Sequence, residues 1–118
     1  MGRFKGMQMD MGTAIRILRK VTRTKVVTLV KQLGTSNNQV SNVYRRPSLN
    51  FEVCTRYADA LGVSLDELRA VAEYSGRPEI QKLILSATAQ KTNITDLIPG
   101  VIDKVEQLLQ TMRSKSTP

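Results

Sequence analysis

The chain has no histidine, no tryptophan and a single cysteine, Cys54. Without histidine, neither a Cys–His nor a Ser–His–Asp nucleophile arrangement can be built. One cysteine excludes a disulfide within the chain, and no Cys/His set for zinc is present. These absences argue against an enzyme, and neither a metal nor another cofactor is expected. Cys54 is interpreted as a small core residue, because free cysteines are usually buried.

Long apolar runs are also missing from the sequence. No stretch of about 18 apolar residues occurs, so no transmembrane span is predicted. The first twelve residues, MGRFKGMQMDMG, lack the apolar core of a signal peptide, which favours a cytoplasmic protein. Aromatic residues make up only 4% of the 118 residues, so the core of one small domain must be built from leucine, isoleucine and valine.

The net charge of +8 is distributed unevenly along the chain. Residues 1–47 hold ten lysines and arginines against one acid (+9), whereas residues 48–76 hold two against five (−3). Residues 77–118 hold six against four (+2). A basic face attracts phosphates and releases counterions when it binds them. A generic soluble surface and an anionic lipid partner are the alternatives, but the positive charge coincides with the motif described next, which favours nucleic acid.

Residues 26–44, VVTLVKQLGTSNNQVSNVY, predict two short helices joined by a tight turn. In the first half, apolar residues recur at helical spacing, at Val26, Leu29, Val30 and Leu33. Gly34 is suited to end that helix, because glycine adopts a left-handed conformation with little strain. Ser36 and Gln39 have the spacing of a capping box, which predicts that a second helix begins at once.

This helix–turn–helix pattern has a second helix whose outward side chains suit contact with DNA. Asn and Gln pair in bidentate fashion with adenine, and Arg with guanine. The predicted base-reading residues are Asn37, Asn38, Gln39, Ser41 and Asn42, with Gln39 partly committed to capping. The predicted phosphate contacts are Arg23, Lys25, Ser36, Arg45 and Arg46. The alternative is a helical hairpin with a solvated polar face.

Further helices are predicted on both sides of this motif. The first begins near Thr13, a good N-cap, and turns Ile15, Leu18 and Val21 inward. Its arginines and lysine face outward, where they could clamp a DNA backbone; they are Arg16, Arg19, Lys20 and Arg23. Two more helices are predicted after Pro47. The first begins at Ser48 or Asn50 and ends at Gly62. The second runs from Leu65 to about Glu73 and begins with a Ser64–Glu67 capping box.

The order and spacing of these pieces resemble the lambda-repressor/Cro type of helix-turn-helix domain, also called the XRE type. The matching segments within residues 12–73 are AIRILRK, LVKQLGTSNNQVS, Pro47–Ser48–Leu49 and YADALGVSLDEL. The chain departs from the family pattern at Val26, at Val30, at Thr35, and at Tyr44-Arg45-Arg46, where the family often has Glu-x-Gly. The resemblance implies an all-α, five-helix DNA-binding domain that acts as a transcriptional regulator in a phage, a mobile element or a bacterium.

The predicted organisation is a basic arm (1–11), the helix-turn-helix domain (12–75) with its recognition helix (36–45), a C-terminal dimerisation segment of two helices (76–113) and a frayed tail (114–118). The last helix has a broad apolar face at Ile98, Val101, Ile102, Val105, Leu108, Leu109 and Met112. This face either folds back on the five-helix domain or packs on a second copy. Because helix-turn-helix proteins commonly bind two half-sites as dimers, self-association is favoured.

The sequence thus predicts a cytoplasmic, nucleoid-associated repressor that binds a double-stranded DNA operator as a homodimer. An antirepressor or a toxin protein is a candidate protein partner, and no membrane partner is expected. The alternative function is an antitoxin or adaptor whose C-terminal helices bind a partner protein, with DNA binding secondary.

Overall fold

A computed structural model describes residues 9–89 and 99–116, with side chains described for residues 9–86 and 100–114. The described residues form seven α-helices and no β-strand, which confirms the all-α prediction. The helices are α1 (Met11–Val21), α2 (Val26–Leu33), α3 (Asn37–Tyr44), α4 (Phe51–Leu61), α5 (Leu65–Ser75), α6 (Pro78–Ala89) and α7 (Pro99–Ser116). The predicted arm up to residue 8, Ile98 and the last two residues of the predicted tail lie outside the described residues. In the described part, no helix has both the length and the apolarity needed to cross a membrane.

Helix α1 lies at the centre of the core. It contacts α3, α4 and α7, and it packs most extensively against α5. Ile15 and Leu18 are fully buried, as the sequence predicts, and Ile17 is fully buried as well. Because neighbours surround α1 on several sides, its buried face is wider than one amphipathic stripe. Cys54 is also buried, which confirms its interpretation as a core residue, and burial raises the pKa of its thiol.

The first helix begins at Met11, earlier than the sequence predicts. Its N-cap is Asp10 and not Thr13, because the Asp10 carboxylate accepts hydrogen bonds from the Thr13 backbone N–H (3.1 Å) and hydroxyl (2.8 Å). Met11 belongs to the hydrophobic core. Residues 9–11 are therefore part of the folded domain and not of the predicted arm.

The first turn of α1 meets the C-terminal end of α3. The Met11 N–H donates to the Pro47 carbonyl (3.0 Å), and the Gly12 N–H donates to the Arg46 carbonyl (2.9 Å). The N–H groups that a helix start leaves without partners thus pair with carbonyls beyond the end of another helix. A Cβ atom at position 12 would lie 2.6 Å from the carbonyl oxygens of Tyr44 and Arg46, so only glycine fits there.

The boundaries of α4 and α5 follow local sequence signals. Gly62 ends α4 in the left-handed conformation, with φ 74°. Asn50, one of the two predicted N-caps of α4, accepts from the Val53 N–H at 2.8 Å. The predicted capping box of α5 is complete, because the Glu67 N–H donates to the Ser64 hydroxyl (3.1 Å) and the Ser64 N–H donates to the Glu67 carboxylate (2.8 Å).

Helix α7 folds back on its own chain, against α1 and α5. Three residues of the predicted dimerisation face, Val101, Val105 and Leu109, are buried there. The described remainder of that face, Ile102, Leu108 and Met112, is half-buried. The structure thus shows the fold-back arrangement, and the three buried residues would reach a second copy only if α7 left the core. The helix continues to Ser116, past the predicted boundary at residue 113.

A salt bridge ties the end of α7 to the start of α5. The Arg113 Nε donates to Glu67 Oε2 at 2.6 Å. Burial would raise the pKa of Glu67, but hydrogen bonds from Arg113 and from the Ser64 backbone outweigh it and lower this pKa. A carboxyl whose pKa is lowered by folding contributes stability above its unfolded pKa and loses it as the pH falls through the folded pKa.

Replacing Gly12 by alanine tests the contact between α1 and α3. We expect Gly12→Ala to lower the free energy of unfolding by roughly 1–3 kcal/mol, because the added methyl group overlaps backbone atoms that cannot move aside independently. The measurement is urea denaturation followed by circular dichroism. Gly100→Ala is the matched control: Gly100 is an exposed helical glycine with open space around it, so its replacement should leave stability unchanged or raise it. Equal stability of the two variants would contradict the close approach.

Acid titration tests the contacts of Glu67. We expect the free energy of unfolding of the wild type to fall between about pH 5 and about pH 3, as protonation removes the charge that Arg113 binds. Glu67→Gln should show a smaller fall over the same range, because it carries no charge to lose. Asp66→Asn, which removes an exposed charge from the same helical turn, is the control and should keep the wild-type slope.

Candidate nucleic-acid interface

Helices α2 and α3 are joined by a short turn that leaves one face of α3 in solvent. Gly34 ends α2 in the left-handed conformation with φ 63°, as predicted. Ser36 begins α3 by accepting from the Gln39 N–H at 3.2 Å. Leu29 of α2 and Val40 of α3 are fully buried and anchor both helices in the core. The opposite face of α3 is polar and points away from the domain.

Only half of the predicted Ser36–Gln39 capping box forms. The Gln39 side chain does not return to the Ser36 backbone, and its amide oxygen instead accepts from the Thr35 hydroxyl. This contact depends on the hydroxyl group of Thr35, the residue that follows the turn glycine. Because the contact uses the amide oxygen, both N–H donors of the Gln39 side chain remain for another partner.

All the predicted base-reading side chains are exposed. Gln39 makes the contact with Thr35, whereas the other four make no side-chain hydrogen bond with any described residue; they are Asn37, Asn38, Ser41 and Asn42. An asparagine amide offers two donors and one acceptor with two lone pairs. The outward face of α3 therefore presents a dense set of uncommitted donors and acceptors.

The predicted phosphate contacts lie at the two ends of α3 and at the start of α2. Arg45 and Arg46 follow the last turn of α3, and both are exposed. Ser36 accepts from a backbone N–H, which leaves its own O–H free to donate. Lys25 precedes α2, which has no side-chain cap, so N–H groups at its positive end are left for an anion.

Arg23 has a strained backbone conformation. Its φ of 58° makes it the only residue other than glycine with positive φ in the described part of the chain. It follows the end of α1, and the Thr24 N–H closes the turn by donating to the Arg19 carbonyl at 3.0 Å. A left-handed residue with a Cβ costs about 1–2 kcal/mol, and glycine avoids that cost. The chain thus keeps a cationic side chain at a position where glycine would be less strained.

Arg19 is not the outward-facing clamp that the sequence predicts. Its Nε donates to the Tyr44 hydroxyl (3.0 Å), and its Nη1 donates to the Thr24 carbonyl (3.1 Å). The Arg16 guanidinium stands over the Tyr44 ring, 5.8 Å from the ring centroid. Arg19 therefore connects α1, the turn before α2 and the end of α3, and it helps to fix the orientation of α3.

Grooves run along both flanks of α3. The first, of about 400 Å³, lies between α3 and α4 and contains Arg46 and Arg56. The second, of about 390 Å³, lies between α3 and α1 and contains Arg16 and Arg45. Arg56 is not among the predicted site residues, because it lies in the acidic part of the sequence, outside the motif. Only the packing of α4 against α1 and α2 brings it to this surface.

Within the part of the chain that the structure describes, no carboxylate forms a salt bridge with any of these four arginines. Asp10 also lines the groove towards α1, where its carboxylate accepts hydrogen bonds from Thr13 and Gln81. Among the described residues, the one salt bridge joins Arg113 to Glu67, away from α3. Cations that gather without ion-pair partners create a positive potential that attracts anions. The surface therefore combines uncommitted hydrogen-bonding groups on α3 with positive charge along its flanks.

No protein family, curated protein or solved structure was found to match this chain. The functional assignment of this surface therefore depends on its residues and their geometry.

Replacing Arg23 by glycine separates backbone strain from charge. We expect Arg23→Gly to raise the free energy of unfolding by roughly 0.5–1 kcal/mol, because relief of the left-handed strain exceeds the entropic cost of glycine. The same variant should bind a DNA duplex more weakly at low salt, because it has lost a cation. Urea denaturation and fluorescence anisotropy with labelled duplex are the measurements.

Arg23→Ala is the control for this pair of effects, because alanine removes the charge but keeps a Cβ at the strained position. It should lose the same binding without gaining stability. If both variants bound duplex like the wild type, Arg23 would not belong to the interface.

Proposed function

We propose that the chain is a sequence-specific DNA-binding regulator of the lambda-repressor/Cro helix-turn-helix type, acting as a repressor in the cytoplasm on a double-stranded operator. One observation carries the proposal: the exposed face of α3 presents uncommitted amide and hydroxyl groups between four arginines that form no salt bridge with any described carboxylate. A merely solvated helix face would not require this combination. Support for the family comes from the glycine turn after α2 and the capping box that opens α5.

In this proposal, α3 enters the major groove and reads base edges. Asn37, Asn38 and Asn42 can each pair with adenine through the amide oxygen and nitrogen. Ser41 can donate to or accept from a base, and Gln39 can donate through its free amide N–H groups. Contacts from Arg, Lys and Ser to phosphates hold the domain in register without conveying sequence.

The homodimer is part of this proposal, because one eight-residue recognition helix reads only a few base pairs and a second half-site adds specificity. Val101, Val105 and Leu109 are buried in their own chain, so the contact between copies uses other residues or requires release of α7. The same burial weakens the alternative of a partner-binding C-terminal segment, since three residues of the apolar face that would grip a toxin or an antirepressor are already buried.

Binding of the pure protein to the DNA upstream of its own gene, compared with a random duplex across a salt series, tests the proposal. We expect tight binding to the upstream DNA and a preference that persists at moderate salt. Equal binding to both duplexes, fading steeply with salt, would contradict sequence-specific recognition, because it would show that the basic surface supplies only charge.

Replacing base-reading asparagines by alanine should weaken specific binding selectively. We expect Asn37→Ala or Asn42→Ala to cost roughly 1–3 kcal/mol on the operator and little on random DNA. Anisotropy titrations on both duplexes give the two affinities. Gln110→Ala removes an exposed amide from α7 and serves as the control, with no expected change on either DNA. Equal losses on both duplexes would show that these asparagines contact the backbone and not the bases.

A further inference from the structure

The side chains of α3 divide into two flanks with a polar ridge between them. Gln39, Asn42, Val43 and Arg46 follow helical spacing along one flank and line the groove towards α4. Ser41, Tyr44 and Arg45 follow the same spacing along the other flank and line the groove towards α1. Each groove therefore contains one arginine from the end of α3 and one from the neighbouring helix.

The arginines from the neighbouring helices are held in place before any ligand binds. Arg56 of α4 donates through Nη2 to the Leu33 carbonyl at the end of α2, at 2.7 Å. Arg16 of α1 stands over the Tyr44 ring, 5.8 Å from its centroid. Each contact occupies part of one guanidinium and leaves N–H donors for an anion, since a guanidinium has five. Ordering a side chain in advance reduces the entropy lost on binding.

We infer that the two grooves bind the two phosphate backbones of one B-form duplex, with Arg16 and Arg56 contacting phosphates of opposite strands. This inference rests on the proposed DNA-binding function. A helix with its side chains is about 10–12 Å across, and the major groove of B-DNA is about 12 Å wide. A helix seated in that groove thus has one backbone on each side, as the arginine-lined grooves require.

This arrangement selects among classes of nucleic acid. A single strand supplies one backbone and can satisfy only one groove. An RNA duplex has a deep and narrow major groove that a helix with these side chains does not enter. B-form DNA is therefore the partner that occupies both grooves together.

Single neutral phosphates test the strand assignment. In the upstream duplex, each phosphate is replaced in turn by an uncharged methylphosphonate, first on one strand and then on the other. Wild-type protein should lose affinity at positions on both strands. Within one half-site, Arg16→Gln should become insensitive to replacement of the phosphates that Arg16 contacts on one strand, and Arg56→Gln to replacement of phosphates on the other strand, because a contact already lost cannot be lost again. Each variant should also reduce the slope of log affinity against log salt by about 1 for each protomer bound.

Arg69→Gln, which removes an exposed arginine from α5 outside both grooves, is the control and should keep the wild-type pattern on both strands. Arg56→Lys keeps the cation and should retain most of the salt slope. It thereby distinguishes loss of the charge from loss of the hydrogen bond to the Leu33 carbonyl. If, within one half-site, Arg16→Gln and Arg56→Gln abolished sensitivity at phosphates of the same strand, or if neither abolished it at any phosphate, the two-backbone assignment would be overturned. Tight binding of single-stranded DNA or of an RNA duplex by the wild type would also overturn it. Failure of the wild type to prefer the upstream duplex is a different result, because it contradicts the proposed function itself.

Discussion

The position of α3 depends on the contact between the first turn of α1 and the backbone that follows α3. A helix of eight residues is not stable alone in water, because nucleation is costly and only a few hydrogen bonds repay it. Burial of Val40 holds the middle of α3, while the Gly12–Arg46 hydrogen bond holds its end. The same contact brings the N-terminal end of α1, the positive end of its dipole, close to the C-terminal end of α3, the negative end of its dipole. The orientation of the exposed face of α3 is therefore set by α1, the most buried helix of the domain.

Local signals allowed much of this fold to be predicted from the sequence. Gly34, Gly62 and the Ser64–Glu67 capping box act on backbone within a few residues of themselves, so their effect is visible in the sequence. The exposure of the polar face of α3 follows in the same way from the spacing of Val40 and Val43. These features include every predicted base-reading residue, which explains why that face could be located without a structure.

The features that the sequence did not reveal depend on contacts between distant residues. Asp10 and Thr13 are both suitable caps, and the hydrogen bonds to Arg46 and Pro47 fix where α1 begins. Arg19 has the spacing of an exposed cation but turns towards Tyr44, which lies 25 residues further along the chain. The apolar face of α7 suits a partner copy and its own core equally well, and only the surface offered by α1 and α5 distinguishes them. Periodicity shows that a face needs a partner and does not show which surface provides it.

The Glu67 carboxylate connects two separate parts of the chain. It accepts from the Ser64 N–H at the start of α5, and it also binds Arg113 near the end of α7. Local opening of the α5 start and detachment of the α7 end are therefore coupled through a shared side chain. The C-terminal helix is joined to the preceding helices as one cooperative unit at this point, although it lies beyond the segment that resembles a five-helix domain. Amide protons at the start of α5 and in the last turns of α7 would then exchange with solvent through a common opening step, and the two regions would not fray independently.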